Sequence, residues 1–419
     1  MTETPRNEPP FRKTHPLEAA LSLPGLGDGA EFLRILLELA RSDPQEMIRV
    51  IRSGDHPDLP SRFGLAIDTP YEVSIHVATG ITEIFGTDVE GRWENRLDVN
   101  RLAWLADRRR EVSTDQYGSD LFSLALPHEA ADRLRSLILQ TTRKRCRIRL
   151  RIDPDSPELN DLWWETLRDV KSSPVRFARS DRTPFSREVV RAIAFDQPVA
   201  PADGLRILVA FTDAPEEWTT LLRMQNLQRA TVDVLEQVRG LFDLRSRLSK
   251  GRYHVLHLVT VGTLADGSAR LRLVSEDFRN ARLISDTALA DLLLDLPDLR
   301  LVVLSAPRQE SSSEPVFVRI AASLIGSGFP AALALQTPLT EAAELLFFET
   351  MYTALSTPAP PPLDVAVNEA REALFFELLG ASEDDSWLWA APVLYLHGDG
   401  RLFQGHSSEW EPRSTNGRK

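Results

Sequence analysis

Three observations predict an α/β protein built on a mainly parallel sheet with helices on both faces. From Leu205 onward, short runs rich in Val and Leu alternate with amphipathic stretches of helical length. One of these runs, Leu299–Ser305 (LRLVVLS), is apolar at nearly every position. That is the pattern of a strand covered on both faces. The stretches between the runs are long enough for the crossover connections that parallel strands require.

Composition sets the outer bounds. A chain of 419 residues, 42% apolar and 26% charged, can bury a large core and has room for two or three domains. A net charge of −12 argues against general binding to nucleic acid or anionic membrane. The single cysteine, Cys146, leaves no partner for an intrachain disulfide and no all-cysteine metal site. This fits a reducing cytoplasm. No apolar run is long enough to span a bilayer, and the polar, proline-rich N-terminus lacks the apolar core of a secretory signal.

Taken in order, residues 1–16 read as disordered and 17–60 as a helical N-terminal segment. Helices are expected at 17–23 and 30–53, the second broken at Asp43-Pro44, where Asp43 can cap and Pro44 can occupy the first helical position. DHPDLPS (55–61) reads as a linker. A mixed α+β subdomain follows over 61–200, with a strand at Tyr71–Ala78 and helices at 97–111 and 127–141 separated by DQYGSDLF (115–122). In RKRCRIRLRID (143–153), Cys146, Ile148, Leu150 and Ile152 fall on one face and Arg145, Arg147, Arg149 and Arg151 on the other. A half-exposed strand with solvated or paired arginines is one reading of it. An anion- or nucleic-acid-binding strip is the other.

Residues 201–405 are expected to form the main sandwich. Its strands are placed at Leu205–Phe211, Thr231–Leu235, Tyr253–Thr260, Leu299–Ser305, Pro330–Gln336 and Val393–Leu396, with a short hairpin strand at Leu271–Val274. Helices are placed at 216–228, 239–250, 285–295, 315–327, 340–356 and 364–379. The tail, 406–419, reads as disordered. The histidines are scattered, no metal-ligand spacing stands out, and the sequence contains no P-loop, G-x-G-x-x-G or G-x-S-x-G. No cofactor is implied.

Several segments together resemble the CHAT family of caspase-like, separase-related cysteine peptidases. They are RIRLRIDPDSPELNDLWWETLRD (147–169), LRILVAF (205–211), YHVLHLVTVG (253–262), LVVLSAP (301–307), FPAALALQTPLTEAAELLFFETMYTAL (329–355), LDVAVNEAREAL (363–374) and WAAPVLYLHGDGRLF (389–403). The resemblance runs from about residue 65 to 405. It implies a caspase-like α/β/α sandwich and, in the family, a Cys–His dyad in which the imidazole favours a thiolate nucleophile. The family's histidine stands in a His-Gly pair; that position here is Val261, before Gly262. The family's cysteine follows Ser-Ala; that position here is Pro307. Valine cannot accept a proton, and proline has neither thiol nor backbone N–H, so nucleophile, base and one oxyanion donor are all missing.

The resulting expectation is a degenerate member that lacks the dyad: a pseudoprotease acting as a binding, scaffolding or regulatory subunit. The family resemblance implies a bacterial signalling or antiviral conflict system and a protein partner, such as a competent CHAT peptidase, with neither nucleic acid nor membrane. Thr260, Gly262, Asp266, Ser305, Arg308 and Gln336 are the expected lining of a peptide- or partner-binding cleft. The alternative is an active hydrolase with a relocated nucleophile. Ser305 and Ser311–Ser313 stand near the right place, but the sequence shows no base beside them; His254 and His257 read as strand histidines.

Overall fold

The computed structural model describes residues 71–403, apart from 78–80, 86–89, 95–100, 102–103, 106–110, 141–144, 153–156, 170, 172–174, 190–198, 200–203, 213–226, 228–229, 275–280, 307–315 and 380–384. The expectations for 1–60, the Asp153-Pro154 turn, the helix at 216–228, Pro307, Arg308, Ser311–Ser313 and the tail lie outside the described residues.

In chain order come β1 (Tyr71–His76), β2 (Ile81–Phe85), β3 (Glu90–Glu94), α1 (Thr114–Ala125), α2 (His128–Gln140), β4 (Cys146–Ile152) and the single turn α3 (Pro157–Asn160). A two-residue ladder, β5 (Arg168–Asp169) and β6 (Val175–Arg176), leads to β7 (Phe185–Val189). The second half runs β8 (Leu205–Phe211), β9 (Ala230–Leu235), α4 (Leu241–Gly251), β10 (Val255–Val259), β11 (Val261–Ala265), β12 (Ser268–Val274), β13 (Ala281–Ser285) and α5 (Asp286–Leu294). It closes with β14 (Leu301–Ser305), α6 (Val316–Gly326), β15 (Ala331–Leu335), α7 (Glu341–Leu355), α8 (Leu363–Glu377) and β16 (Pro392–Leu396).

One eleven-stranded sheet, ordered β3-β2-β1-β4-β7-β16-β15-β14-β10-β8-β9, takes strands from both halves of the described chain. Pairing is parallel from β1 through β4 and β7 to β16, and again from β15 through β14, β10 and β8 to β9. Only β16 on β15 and the β1–β2–β3 end are antiparallel. The expected boundary at residue 200 therefore runs through a continuous sheet, inside one compact unit, Thr69–Lys419.

The apolar strands of the second half have side chains on both faces, and each face feeds its own core. Ile207, Val209, Val255, Leu301 and Val303 pack with Phe347, Met351, Leu363 and Val367 of α7 and α8. Leu208, Leu256, Leu258, Val302 and Leu304 pack with Leu244, Leu248, Leu289, Ile320 and Leu324 of α4, α5 and α6. This is the α/β/α sandwich expected from the alternation. Each such side chain, sealed from water, contributes about 1.5–3 kcal/mol of transfer free energy.

The first half adds strands β2, β3, β5, β6 and β7 to those expected, and it departs from expectation in two further places. DQYGSDLF does not separate two helices; it lies within α1. Ser113 caps that helix by accepting from Gln116 N–H at 3.3 Å, and Tyr117, Leu121, Phe122 and Ala125 bury its apolar stripe. Gly118 is there for contact rather than as a breaker, since a Cβ would stand 1.9 Å from the Thr166 carbonyl oxygen. The Arg-rich strand is likewise not half-exposed. β4 lies between β1 and β7, and Arg147 and Arg149 are buried. Arg147 Nε donates to Asp364 of α8 at 2.5 Å, Arg149 pairs with Glu72 at 3.1 Å, and Arg151 Nε donates to Glu188 at 2.8 Å. With its guanidiniums engaged internally, this strand is sheet architecture and offers no open anion strip.

Candidate functional site

In open parallel sheets the crevice at the carboxyl ends of the strands is the usual ligand site. Here those ends belong to β8, β10, β14 and β15. β10 and β14 pair in the register Val255↔Leu301 to Val259↔Ser305, so Ser305 closes one strand beside the last residue of the other. Thr260 N–H donates to the Ser305 carbonyl at 3.0 Å. The Thr212 hydroxyl, beyond the tip of β8, donates to Thr260 Oγ1 at 3.0 Å, and Thr260 in turn donates to the Arg272 carbonyl at 2.7 Å. Three strand tips and a neighbouring small sheet are thereby tied together.

Val261 does not end β10. It opens β11, the first strand of a three-stranded antiparallel sheet β11-β12-β13, where it pairs with Arg272. The hairpin expected at Leu271–Val274 is the longer β12 of this sheet. Gly262 is buried against the start of α6. A Cβ there would lie 2.9 Å from Val316 Cγ1, so only glycine lets β11 and α6 approach this closely. Asp266 stands apart, in the β11–β12 turn with φ 53° and a side chain 93% exposed.

The sequence reading finds no base near Ser305, and the structure corrects this. His257 Nε2 lies 3.1 Å from Ser305 Oγ, and the Tyr352 hydroxyl lies 3.3 Å from the other ring nitrogen, Nδ1. The imidazole also packs at 4.4 Å, centroid to centroid, on Phe348. Serine, histidine and tyrosine are all fully buried. Burial pushes the His257 pKa down to about 3, so the ring is neutral and a weak proton acceptor. It bridges β10, β14 and α7. This contact depends on the register of two strands far apart in sequence, and its only sequence signal is a polar residue interrupting each of two apolar runs.

Gln336 follows β15. Its backbone N–H donates to the Ala391 carbonyl at 2.9 Å and its Nε2 donates to Glu165 Oε2 at 3.4 Å. Glu165 is the centre of a buried charge cluster. Arg187 Nε and Nη2 donate to its two oxygens at 3.0 and 2.6 Å, and Arg371 stands 3.9 Å away. Arg187 also donates to the Asn160 and Leu162 carbonyls, and Arg371 to the Pro392 carbonyl. Burial pulls the Arg371 pKa down to about 10, still high enough to keep its charge at neutral pH. Burial acts in the same sense on Arg187, but Glu165 outweighs it and the net direction is upward. The cluster joins the WWET segment, β7 and α8. In the sequence the WWET segment carries only the family resemblance, α8 only a helical pattern, and β7 is not signalled at all, so nothing local announces their contact.

Of the six residues expected to line a cleft, Thr260, Ser305 and Gln336 are thus buried and engaged in internal hydrogen bonds. Gly262 is buried by packing, Asp266 faces solvent, and Arg308 lies outside the described residues. No cluster of three or more His, Cys, Asp or Glu with metal-binding geometry occurs among the described residues. Nor is any described helix long and apolar enough to cross a membrane.

Among solved structures, the chain is similar to the Saccharomyces cerevisiae separase–securin complex, with 10% identity and a TM-score of 0.36. That match covers 60% of this chain but only 15% of the separase-complex chain. It is also similar to the Arg-specific cysteine proteinase gingipain R, with 9% identity, a TM-score of 0.42 and coverage of 80% and 78% of the two chains. The complex of Porphyromonas gingivalis RgpB pro- and mature domains matches at 9% identity and a TM-score of 0.38, covering 71% and 77%. No curated protein matches the sequence. The sequence profile of the CHAT domain matches residues 116–399, more than half of the chain. On that match, and with a parallel sheet whose two faces carry separate helical layers, the chain belongs to the CHAT domain family.

Proposed function

We propose that this protein is a pseudoprotease: a CHAT fold used for binding, scaffolding or regulation rather than for peptide-bond cleavage. The observation that carries the reading is Val261 at the position where the family resemblance puts the imidazole. Pro307 at the nucleophile position agrees with it. A thiolate needs a base beside it, and neither residue supplies either group. The setting we propose is the cytoplasm, in a bacterial signalling or antiviral conflict system, with a protein partner such as an active CHAT peptidase.

A second reading rests on one contact. Ser305 and His257, 3.1 Å apart, have the spacing of a nucleophile and its base. Against it stand the complete burial of both groups and a histidine pKa near 3. One experiment separates the two. The purified chain is incubated with casein and with a serine-directed active-site probe, beside a Ser305→Ala variant. The pseudoprotease reading expects neither cleavage nor labelling. Labelling that disappears in Ser305→Ala would establish the hydrolase instead. Co-purification with a CHAT peptidase encoded beside this chain is the direct test of the partner.

A further inference from the structure

β1 is where the sheet changes character. It runs antiparallel to β2 on one side and parallel to β4 on the other. One polar face crosses this seam: Glu72, Ser74 and His76 of β1 stand beside Arg147, Arg149 and Arg151 of β4. Arg151 in turn stands beside Glu188 of β7. His76 and Arg151 are the last pair of the β1–β4 register. Just past them the Val77 N–H donates to the Arg151 carbonyl at 2.9 Å.

His76 Nε2 meets two partners with opposite requirements. Glu83 Oε2 of β2 lies 3.2 Å away and Arg151 Nη1 of β4 lies 3.3 Å away. A carboxylate only accepts and a guanidinium only donates, so a neutral ring nitrogen satisfies one of them at a time. An imidazolium satisfies Glu83 alone, and to Arg151 it is a like charge at contact distance. Among the described residues, Arg151, Glu83 and Glu188 are the charges that act on this ring. Behind them stand Arg92 of β3, 3.7 Å from Glu83, and Arg149 of β4, shared between Glu72 and Glu188. Arg151 has a second anchor, since its Nε donates to Glu188 at 2.8 Å.

We propose that His76 is a proton-operated latch at this seam: neutral, it holds the end of β1 to β4, and protonated, it stays with Glu83 and repels Arg151. The antiparallel edge β1–β2–β3 keeps its own tie in acid, while the last rung joining it to the parallel strands frays. The His76 side chain is 18% exposed, so a proton reaches it without unfolding the sheet. Burial and Arg151 hold its pKa below the usual 6.5, against the upward pull of Glu83 and Glu188. The contribution of His76 is therefore complete above 6.5 and is lost as pH falls. The latch works the same way whether or not the chain cleaves peptides.

The test uses the full chain. Imidazole titration by NMR, with His76→Gln identifying the His76 signal, should place its midpoint below 6.5. Arg151→Gln should move that midpoint up and Glu83→Gln should move it down, so that the two variants straddle the parent. Hydrogen exchange of the Val77 amide, corrected for the intrinsic effect of pH, gives the second readout. Its protection in the parent should fall with acidification, by up to about tenfold per pH unit. His76→Gln should abolish that fall, because its amide offers an acceptor to Arg151 and a donor to Glu83 without taking up a proton. Protection that ignores pH in the parent, a fall that persists in His76→Gln, or midpoints that do not straddle would each overturn the inference. The parent's exchange profile needs no substitution, so it can refute the latch even where a variant fails to fold.

Discussion

Two polar clusters lie within the same sheet, and they differ in what they demand of the fold. At the tips of β10 and β14, Ser305, His257 and Tyr352 form a neutral chain in which every group remains uncharged when buried. Beside β7, Glu165, Arg187 and Arg371 are buried with their charges. The neutral chain can lose a member at the cost of one or two hydrogen bonds. The charged cluster cannot, because removing one partner leaves an ion without compensation. Of the two, the ion cluster that joins the halves is the more exacting among the described residues.

The largest expected effect therefore comes from Glu165→Gln. It keeps the shape and removes the charge, leaving Arg187 buried without its paired carboxylate and Arg371 with only the charge of Asp364 to offset its own. Breaking a buried pair in this way costs about 3–5 kcal/mol, a large part of the stability of a typical domain. Urea titration of the purified variant should show a sharply lowered midpoint, or the variant should fail to accumulate as soluble protein. A midpoint within experimental error of the parent would show that the cluster is not holding the sheet together.

The neutral cluster gives a pH signature instead. His257 titrates near its ordinary value, 6.5, when unfolded and at about 3 when folded. Between those values the unfolded chain binds a proton that the folded chain refuses. Stability from this residue is thus complete above the unfolded pKa and falls as pH is lowered toward 3, with a slope of about 1.4 kcal/mol per pH unit. His76 and His254 also have lowered pKa values, chiefly through burial, so the parent protein's acid slope sums several groups. The difference between the parent and His257→Gln isolates this one. An unchanged acid slope in that variant would refute the assignment.

Ser305→Ala comes next. It removes the hydroxyl opposite His257 Nε2 and leaves a buried ring nitrogen unsatisfied, a loss of about 1–3 kcal/mol. A double-mutant cycle with His257→Leu should return a coupling energy close to that value, since the apolar ring replacement no longer needs the hydroxyl. A coupling of zero would mean that the two side chains do not meet.

Legibility in the sequence followed the range of the interactions. β8, β10, β14 and β15 were readable because burial on both faces writes itself into consecutive apolar residues. α1 was hidden by Gly118 and its polar neighbours, whose reason is a carbonyl nearly fifty positions later. The arginines of β4 have the alternation of a half-exposed strand. Yet the partner of Arg147 is Asp364, 217 positions away, and nothing local signals it. Register is equally silent: His257 and Ser305 read as separate residues until β10 is laid beside β14.

Val261→His carries the smallest expected effect and sharpens the contrast most. Val261 is half-buried on the outward face of β11, with Arg272 as its cross-strand neighbour. A polar ring can stay partly solvated there, so the change in stability should lie within about 0.5 kcal/mol, as for substitutions that disturb no core contact. No peptidase activity should appear, because a base without a thiol has nothing to activate and Pro307 supplies none. The Arg272 guanidinium would also hold the new imidazole in its neutral form, the opposite of what stabilises a thiolate. Casein cleavage by this single variant would show that a nucleophile is already in place. Failure to fold would show that Val261 belongs to the packed core and not to the outward face of β11.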